Sequence, residues 1–457
     1  MIKSLNPYNQ EEIGNFEETS IPDLDRKLHE AQKGFATWRH TGFEERAGYL
    51  RALADLLRKN TDDIATLISR EMGKVIGDSR KEVKKSAMAL DYFAENGQEY
   101  LDDQVKKTDK GEGIIAYQPL GVVLGIMPWN YPFWQFFRFA ATTLMAGNTI
   151  LLKHSSDVPA CAQQIDKIFQ EACVPGGVFQ NLVVRSDKIE NIVKDFRVQA
   201  ASLTGSVEAG SELARHAGKH IKKVVLELGG SDPFIVLEDA DIQKAAEAGA
   251  RSRMKNFGQS CDAAKRFILH KNIADEFLEA FREAMAQMKF GEPLDEKSDY
   301  ASMSSPEQKN LLLSQVQKSV DQGAKVFWKG DQAPENEAFF NPMILTGVRQ
   351  GMPAYREELF GPVASVMVAS DGMEAVRIAN DSDYGLGASI WTGDLERGWK
   401  MAREVQAGII YINDEVHSRP ELPFGGVKKS GIGREMAAAG SREFTNRKSI
   451  WYEVNKE

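Results

Sequence analysis

With 457 residues, 42% of them apolar, the chain is long enough for two or three domains of roughly 100 to 200 residues and can bury substantial cores. A net charge of −9, with acids and bases interspersed, argues against a nucleic-acid partner. No apolar run reaches the roughly 18 to 20 residues that cross a bilayer. The start, Met1 to Pro7, has neither a signal-peptide core nor transit-peptide character, so a cytoplasmic location is expected. Three cysteines, Cys161, Cys173 and Cys261, do not suggest a disulfide framework and leave at least one thiol free for chemistry.

Taken in chain order, residues 24–105 read as long amphipathic helices, charged on one side. From about 110 to 415, strand and helix patterns alternate, the signature of α/β architecture with largely parallel sheets. A first set comprises a strand near 147–152, a helix near 157–173, a strand near 199–203, a helix near 207–220 and a strand near 222–228. A second set has a strand at 233–237, a helix near 241–256 and a strand at 265–269, with later strands near 363–369 and 408–413. Gly229-Gly230 stands between the sets as a candidate hinge.

Cys261 falls at a turn, after Lys255-Asn256-Phe257-Gly258-Gln259-Ser260 and before a strand. A lone cysteine is most often buried packing. Here Gly258 points to a close backbone approach, Gln259 offers an amide donor, and the flanking residues are polar. Glu227 ends an apolar strand, where an acid is costly to bury without a partner or a task; a structural ion pair is the plain alternative. Asn130, in Pro128-Trp129-Asn130-Tyr131-Pro132, carries an amide that can donate to an oxyanion, although turn asparagines more often satisfy their own backbone. Together the three are a nucleophile, a base and an oxyanion donor, the set that acyl transfer requires.

These segments resemble the aldehyde dehydrogenase superfamily over essentially the whole chain. Pro128-Trp129-Asn130, Leu226-Glu227-Leu228-Gly229-Gly230 and Gly258-Gln259-Ser260-Cys261 match its oxyanion, base and nucleophile motifs, with Glu227 and Cys261 34 residues apart. Glu357 to Pro362 and Pro423 to Gly431 match two further signatures. The resemblance implies a variant Rossmann cofactor domain (1–99 and 118–228), a catalytic domain (229–439) and an oligomerisation segment (100–117 and 440–457). It further implies a homodimer or homotetramer in which the hairpin and the C-terminal segment join a neighbour's sheet. The implied reaction is oxidation of an aldehyde to a carboxylic acid through a thioester on Cys261. No metal is implied. A thiol esterase working without a nucleotide uses the same three residues and is the competing class, but it leaves Lys153, Glu358 and Phe360 without a task.

For the cofactor, the resemblance assigns Trp129, Lys153, Ser155, Ser156, Thr204, Gly205, Ser206, Leu228, Glu358 and Phe360. Many NAD-preferring members have a glutamate where this chain has Ser156. Without that carboxylate, and with the Lys153 ammonium nearby, a 2′-phosphate is attracted, so NADP is favoured with NAD second. The alternative is that Lys153 and Ser156 merely cap the helix that follows. The chain is most similar to bacterial succinate-semialdehyde dehydrogenases, with another small or medium-chain aldehyde as the alternative substrate. Arg138 matches that branch's carboxylate-binding arginine and Ser418 its serine partner, Lys255 stands where some relatives have a second arginine, and Trp134 and Phe424 line the tunnel. Asp262, next to the nucleophile, departs from the pattern, as do Asp414, Glu415, Arg419 and Glu421 in the anchor loop.

Overall fold

The computed structural model describes residues 1–332, 334 and 336–453. A small antiparallel hairpin, Ile2–Leu5 with Glu12–Phe16, comes first and was not foreseen. The charged, amphipathic stretch after it forms four helices, Ile21–Trp38, Phe43–Lys59, Thr61–Met72 and Ile76–Leu101. Ser20 caps the first, accepting from the Asp23 N–H, with Pro22 in its first turn. Leu50, Leu53, Leu57, Ile68, Val83, Leu90 and Phe93 recur at helical spacing and pack into one buried cluster with Phe133, Phe136 and Phe137.

Five parallel strands make the first large sheet: Val122–Met127, Thr149–His154, Phe179–Asn181, Val198–Thr204 and Lys223–Glu227. Buried on both faces by crossover helices, they are apolar runs instead of alternating ones, as in Thr149–Leu152. Sheet order reverses beside Val122–Met127, which has Thr149–His154 on one side and Val198–Thr204 on the other. Such a switch point opens a crevice at the carboxyl ends of the strands. A two-residue strand, Gly431–Ile432, pairs antiparallel with Lys223–Glu227, so the later part of the chain reaches back to complete this sheet.

The second sheet has seven strands in the order Lys325–Lys329, Met343–Thr346, Val363–Ala369, Ala264–His270, Asp232–Val236, Gly387–Trp391 and Ile409–Ile412. All neighbours are parallel except the first pair. Asp241 caps the helix Ile242–Met254 that crosses between two central strands. Gly229 and Gly230 are needed for close approach. A Cβ at Gly229 would lie 2.3 Å from Glu358 Oε2, and one at Gly230 would lie 2.6 Å from the Cys261 carbonyl oxygen.

The third sheet is small and antiparallel. The C-terminal strand Thr445–Glu453 pairs along its length with Gly111–Pro119 of its own chain, and Gln104–Lys107 completes the three strands. Among the described residues the outer edge of Gln104–Lys107 has no strand partner, nor has that of the C-terminal segment. Residues 454–457 of it lie outside the described residues.

Candidate active site

The nucleophile turn is built by an unusual backbone. After the helix Ile242–Met254, Asn256, Phe257 and Gly258 all take positive φ (48°, 53° and 76°). Glycine does so freely and asparagine readily, whereas at Phe257 the conformation costs about 1–3 kcal/mol and must be held from outside. Asn256 Nδ2 donates to the Asn130 carbonyl at 3.0 Å, Phe257 stacks on Tyr300 at 5.0 Å, and a Cβ at Gly258 would lie 2.3 Å from the Gly361 backbone. Lys265, buried, donates to the carbonyls of Ser260, Cys261 and Ala263 at 2.9, 2.9 and 3.3 Å. That ammonium staples the turn from behind. The Gln259 amide is not a donor at the thiol: its Nε2 donates to the Asn256 carbonyl, and its Oε1 accepts from the Ser304 N–H.

Cys261 lines a cavity of about 650 Å³ together with Trp134, Arg138, Lys255, Ser418 and Phe424. Asn130 is tied to the same turn, donating from Nδ2 to the Gln259 carbonyl at 3.0 Å. The amide has a second N–H, and the Cys261 N–H makes no hydrogen bond among the described residues, so two donors remain for an oxyanion. Burial, and then the neighbouring Asp262 carboxylate, push the Cys261 thiol up to about 12, with Arg138 and Lys265 opposing.

Glu227 is absent from that cavity lining. Its carboxylate is buried without a hydrogen-bond partner, Oε1 faces Gly425 closely enough that a Cβ there would lie 2.5 Å away, and Glu435 is its strongest charged neighbour. Burial and that second acid raise its pKa well above the carboxylate range, against Arg138 and Arg434. Arg138 thus acts on both Cys261 and Glu227.

Three residues expected in the substrate pocket line the cavity and have partners within the chain. Arg138, 1% exposed, is ion-paired through Nε with Glu435 and lies 4.3 Å from the Phe424 ring, while its buried Nη2 has no hydrogen-bond partner among the described residues. Ser418 is not its partner; Ser418 Oγ accepts from Lys85 Nζ at 2.7 Å. Lys255 donates to both oxygens of Asp262 at 3.2 Å. Burial opposes the charge on each of these two, but their attraction prevails: the Asp262 carboxyl is held down to about 2 and the Lys255 ammonium is raised. Arg138, Lys255 and Asp262 therefore bring two ion-paired cations to the cavity, and Lys85 brings one that sequence reasoning missed.

The residues assigned to a nucleotide gather at the carboxyl ends of the first sheet's strands. Trp129 follows Val122–Met127 and meets Phe360 edge to face at 5.7 Å. Thr204 ends its strand, and its buried Oγ1 has no partner. Gly205 and Ser206 lead into the helix Val207–Lys219, where Ser206 Oγ accepts from the Ala209 N–H. Leu228 packs so closely on Gly210 that a Cβ there would lie 2.5 Å away. Glu358 accepts from the Gly230 N–H at 3.1 Å and has Lys265 at 3.4 Å.

Lys153 is buried without an ion pair among the described residues, and burial lowers its pKa. Neither Lys153 nor Ser156 caps the next helix: its first N–H groups, at Ala160 and Cys161, donate to Glu71. Ser155 Oγ donates to Asp157 instead, and Ser156 is exposed on the turn. An orphaned hydroxyl, an unpaired ammonium and a long helix's N-terminus at one crevice fit a dinucleotide phosphate chain.

This α/β architecture, with a thiol on a strained turn and two largely parallel sheets, is that of a known enzyme family: residues 1–450 match the model of the aldehyde dehydrogenase family, and the chain belongs to it. A Synechocystis protein described as "Probable succinate-semialdehyde dehydrogenase", NADP+-dependent, is 43% identical over 98% of this chain and 99% of its own. The NAD(P)+-dependent succinate semialdehyde dehydrogenase Sad of Escherichia coli is 41% identical over 98% and 97%. Among solved structures, succinic semialdehyde dehydrogenase from Streptococcus pyogenes in complex with NADP+ superposes with a TM-score of 0.97 at 34% identity, covering 99% of this chain and 100% of that one.

Proposed function

We propose that the protein oxidises succinate semialdehyde to succinate with NADP+, NAD+ being a usable second cofactor. The observation that carries this reading is a cysteine thiol and a cation-bearing wall sharing one cavity, beside a strand-end crevice suited to a dinucleotide. The similar proteins described above are named for that aldehyde, one of them as probable, and NADP+ or NAD(P)+ stands in each description. At position 156 no carboxylate repels a 2′-phosphate, and Lys153 attracts it.

Cys261 Sγ attacks the aldehyde carbon as its thiol proton passes to solvent water in the cavity. Asn130 Nδ2 and the Cys261 N–H stabilise the oxyanion that develops. The bound nicotinamide supplies the hydride acceptor. Cys261 then carries the acyl group as a thioester, and Glu227, swung from its resting place beside Gly425, takes a proton from the water that hydrolyses it. The first sheet with its helices forms the nucleotide domain (1–99 and 118–228), and 229–439 the catalytic one.

We further propose a homo-oligomer, dimer or tetramer, acting in the cytoplasm. The three-stranded sheet supports this, since Val105, Ile450, Trp451 and Tyr452 are exposed on it. Among the described residues no helix is long and apolar enough to cross a membrane. The decisive experiment is an aldehyde panel assayed separately with NAD+ and NADP+. Ester turnover without nucleotide, and no nucleotide reduction with any aldehyde, would favour a thiol esterase instead.

A further inference from the structure

The loop 128–133, which carries Asn130, has no regular structure between the strand Val122–Met127 and the helix Trp134–Met145. Pro128 and Pro132 have no N–H, and no residue of the loop donates a backbone–backbone hydrogen bond among the described residues. Its position is therefore set by side chains from outside. Asn256 Nδ2 reaches the Asn130 carbonyl from the nucleophile turn. Glu82 Oε1 accepts from the Phe133 and Trp134 N–H groups at 2.8 and 3.0 Å, and the buried Lys74 ammonium pairs with that carboxylate. The third tie comes from the nucleotide side, where His154 Nε2 lies 2.9 Å from the Pro132 carbonyl oxygen.

His154 is 5% exposed and ends the strand Thr149–His154, directly beside Met127 in the sheet. Its Nδ1 accepts from the Ser155 N–H at 2.9 Å, so the ring proton sits on Nε2 and is donated to Pro132. Burial brings the imidazole down to about 4, which keeps it neutral and this arrangement intact above that pH. Lys153 precedes it and Ser156 stands two positions later, so the strand end assigned to the nucleotide also holds the oxyanion loop. A buried carbonyl that loses such a donor must stay unpaired or move. Movement at Pro132 is felt two residues away, at Asn130. His154 is absent from the cavity lining, so its influence on the aldehyde runs through the loop.

We propose that His154 is a positioning residue for Asn130: by donating to the Pro132 carbonyl it fixes the oxyanion loop to the strand end that receives the nucleotide. This rests on the reading of Asn130 as the oxyanion donor given above.

The test compares wild type with two variants whose melting curves check their folding. His154→Gln has a side-chain amide that still reaches Pro132; His154→Asn still accepts from the Ser155 N–H but is too short for Pro132. With saturating NADP+ and succinate semialdehyde, first-turnover nucleotide reduction should be about 10-fold slower in His154→Asn and within about threefold of wild type in His154→Gln. A second readout needs no turnover: in hydrogen–deuterium exchange without nucleotide, the peptide spanning 128–133 should exchange faster in His154→Asn than in the other two proteins. In an Asn130→Ala background, adding His154→Asn should slow the first turnover no further, because the group that His154 places is gone. If Asn130→Ala alone leaves the first turnover unchanged, the oxyanion reading itself fails. If Asn130→Ala is slow while His154→Asn keeps the wild-type rate and exchange, that reading stands and His154 does not position the loop. Losses that add in the double variant, a His154→Gln as slow as His154→Asn, or a defect confined to KM for NADP+ would also overturn the proposal.

Discussion

Arg138 and Glu435 form an ion pair with both side chains within a few per cent of full burial, at the point where the thiol side and the Glu227 side of the site meet. Arg138→Ala strands the Glu435 carboxylate, which should cost about 3–5 kcal/mol of stability. The loss of activity should be similar for succinate semialdehyde and for butanal, a neutral aldehyde of the same carbon count. A melting curve and the two kcat/KM values check this, and a loss confined to the anionic aldehyde would give Arg138 the role of carboxylate ligand.

Asp262 holds the neighbouring thiol proton in place. In Asp262→Asn that repulsion disappears and Lys255 is left as a net positive charge, so both changes move the Cys261 thiol below about 12. Iodoacetamide labelling at pH 8 should accelerate several-fold, since the thiolate fraction rises about tenfold per unit of pKa. Labelling no faster than wild type would mean that burial alone sets the thiol.

Glu227→Gln should leave the first turnover intact while steady turnover falls about 100-fold or more, because only deacylation needs the base. Its carboxyl is raised by burial and by Glu435, so the base form gains as pH rises and wild-type steady turnover should climb with pH beyond the usual carboxylate range. Rapid-quench or stopped-flow traces separate the burst from the steady phase. A burst that vanishes with Glu227→Gln would assign this acid to acylation instead.

Burial brings Lys85 down to about 7, with Lys255 and Arg138 acting the same way and Asp262 and Glu82 opposing. Its positive charge is therefore present below that pH and lost above it. KM for succinate semialdehyde should rise with pH above neutrality while KM for butanal does not follow, and Lys85→Arg should flatten the profile. Parallel pH profiles for the two aldehydes would contradict this.

Ser156 is exposed at the end of the strand that carries Lys153. A carboxylate there would repel a 2′-phosphate, so Ser156→Glu should shift the NADP+/NAD+ ratio of kcat/KM by about tenfold or more towards NAD+. An unchanged ratio would remove the case for phosphate selection at this turn.

Much of the architecture was written in local patterns. The strands that became Val198–Thr204, Lys223–Glu227 and Val363–Ala369 stood within a residue or two of their expected bounds, because strands covered on both faces must be apolar throughout. The N-terminal hairpin and the strand Gly431–Ile432 were not legible: the first is short and polar, and the second has only two residues, whose pairing depends on a partner some two hundred positions earlier.

The chain's chemistry is determined locally, since Cys261, Asn130 and Glu227 each lie in a short motif whose residue types state their own purpose. Which cations of the pocket are available was decided only by tertiary structure. Charge pairing is a property of distance in space, and a lysine on a charge-rich helix looks like any solvated residue until Ser418 and Trp134 are folded against it. The same folding places Glu435 on Arg138 and Asp262 on Lys255, partners that no local pattern could show.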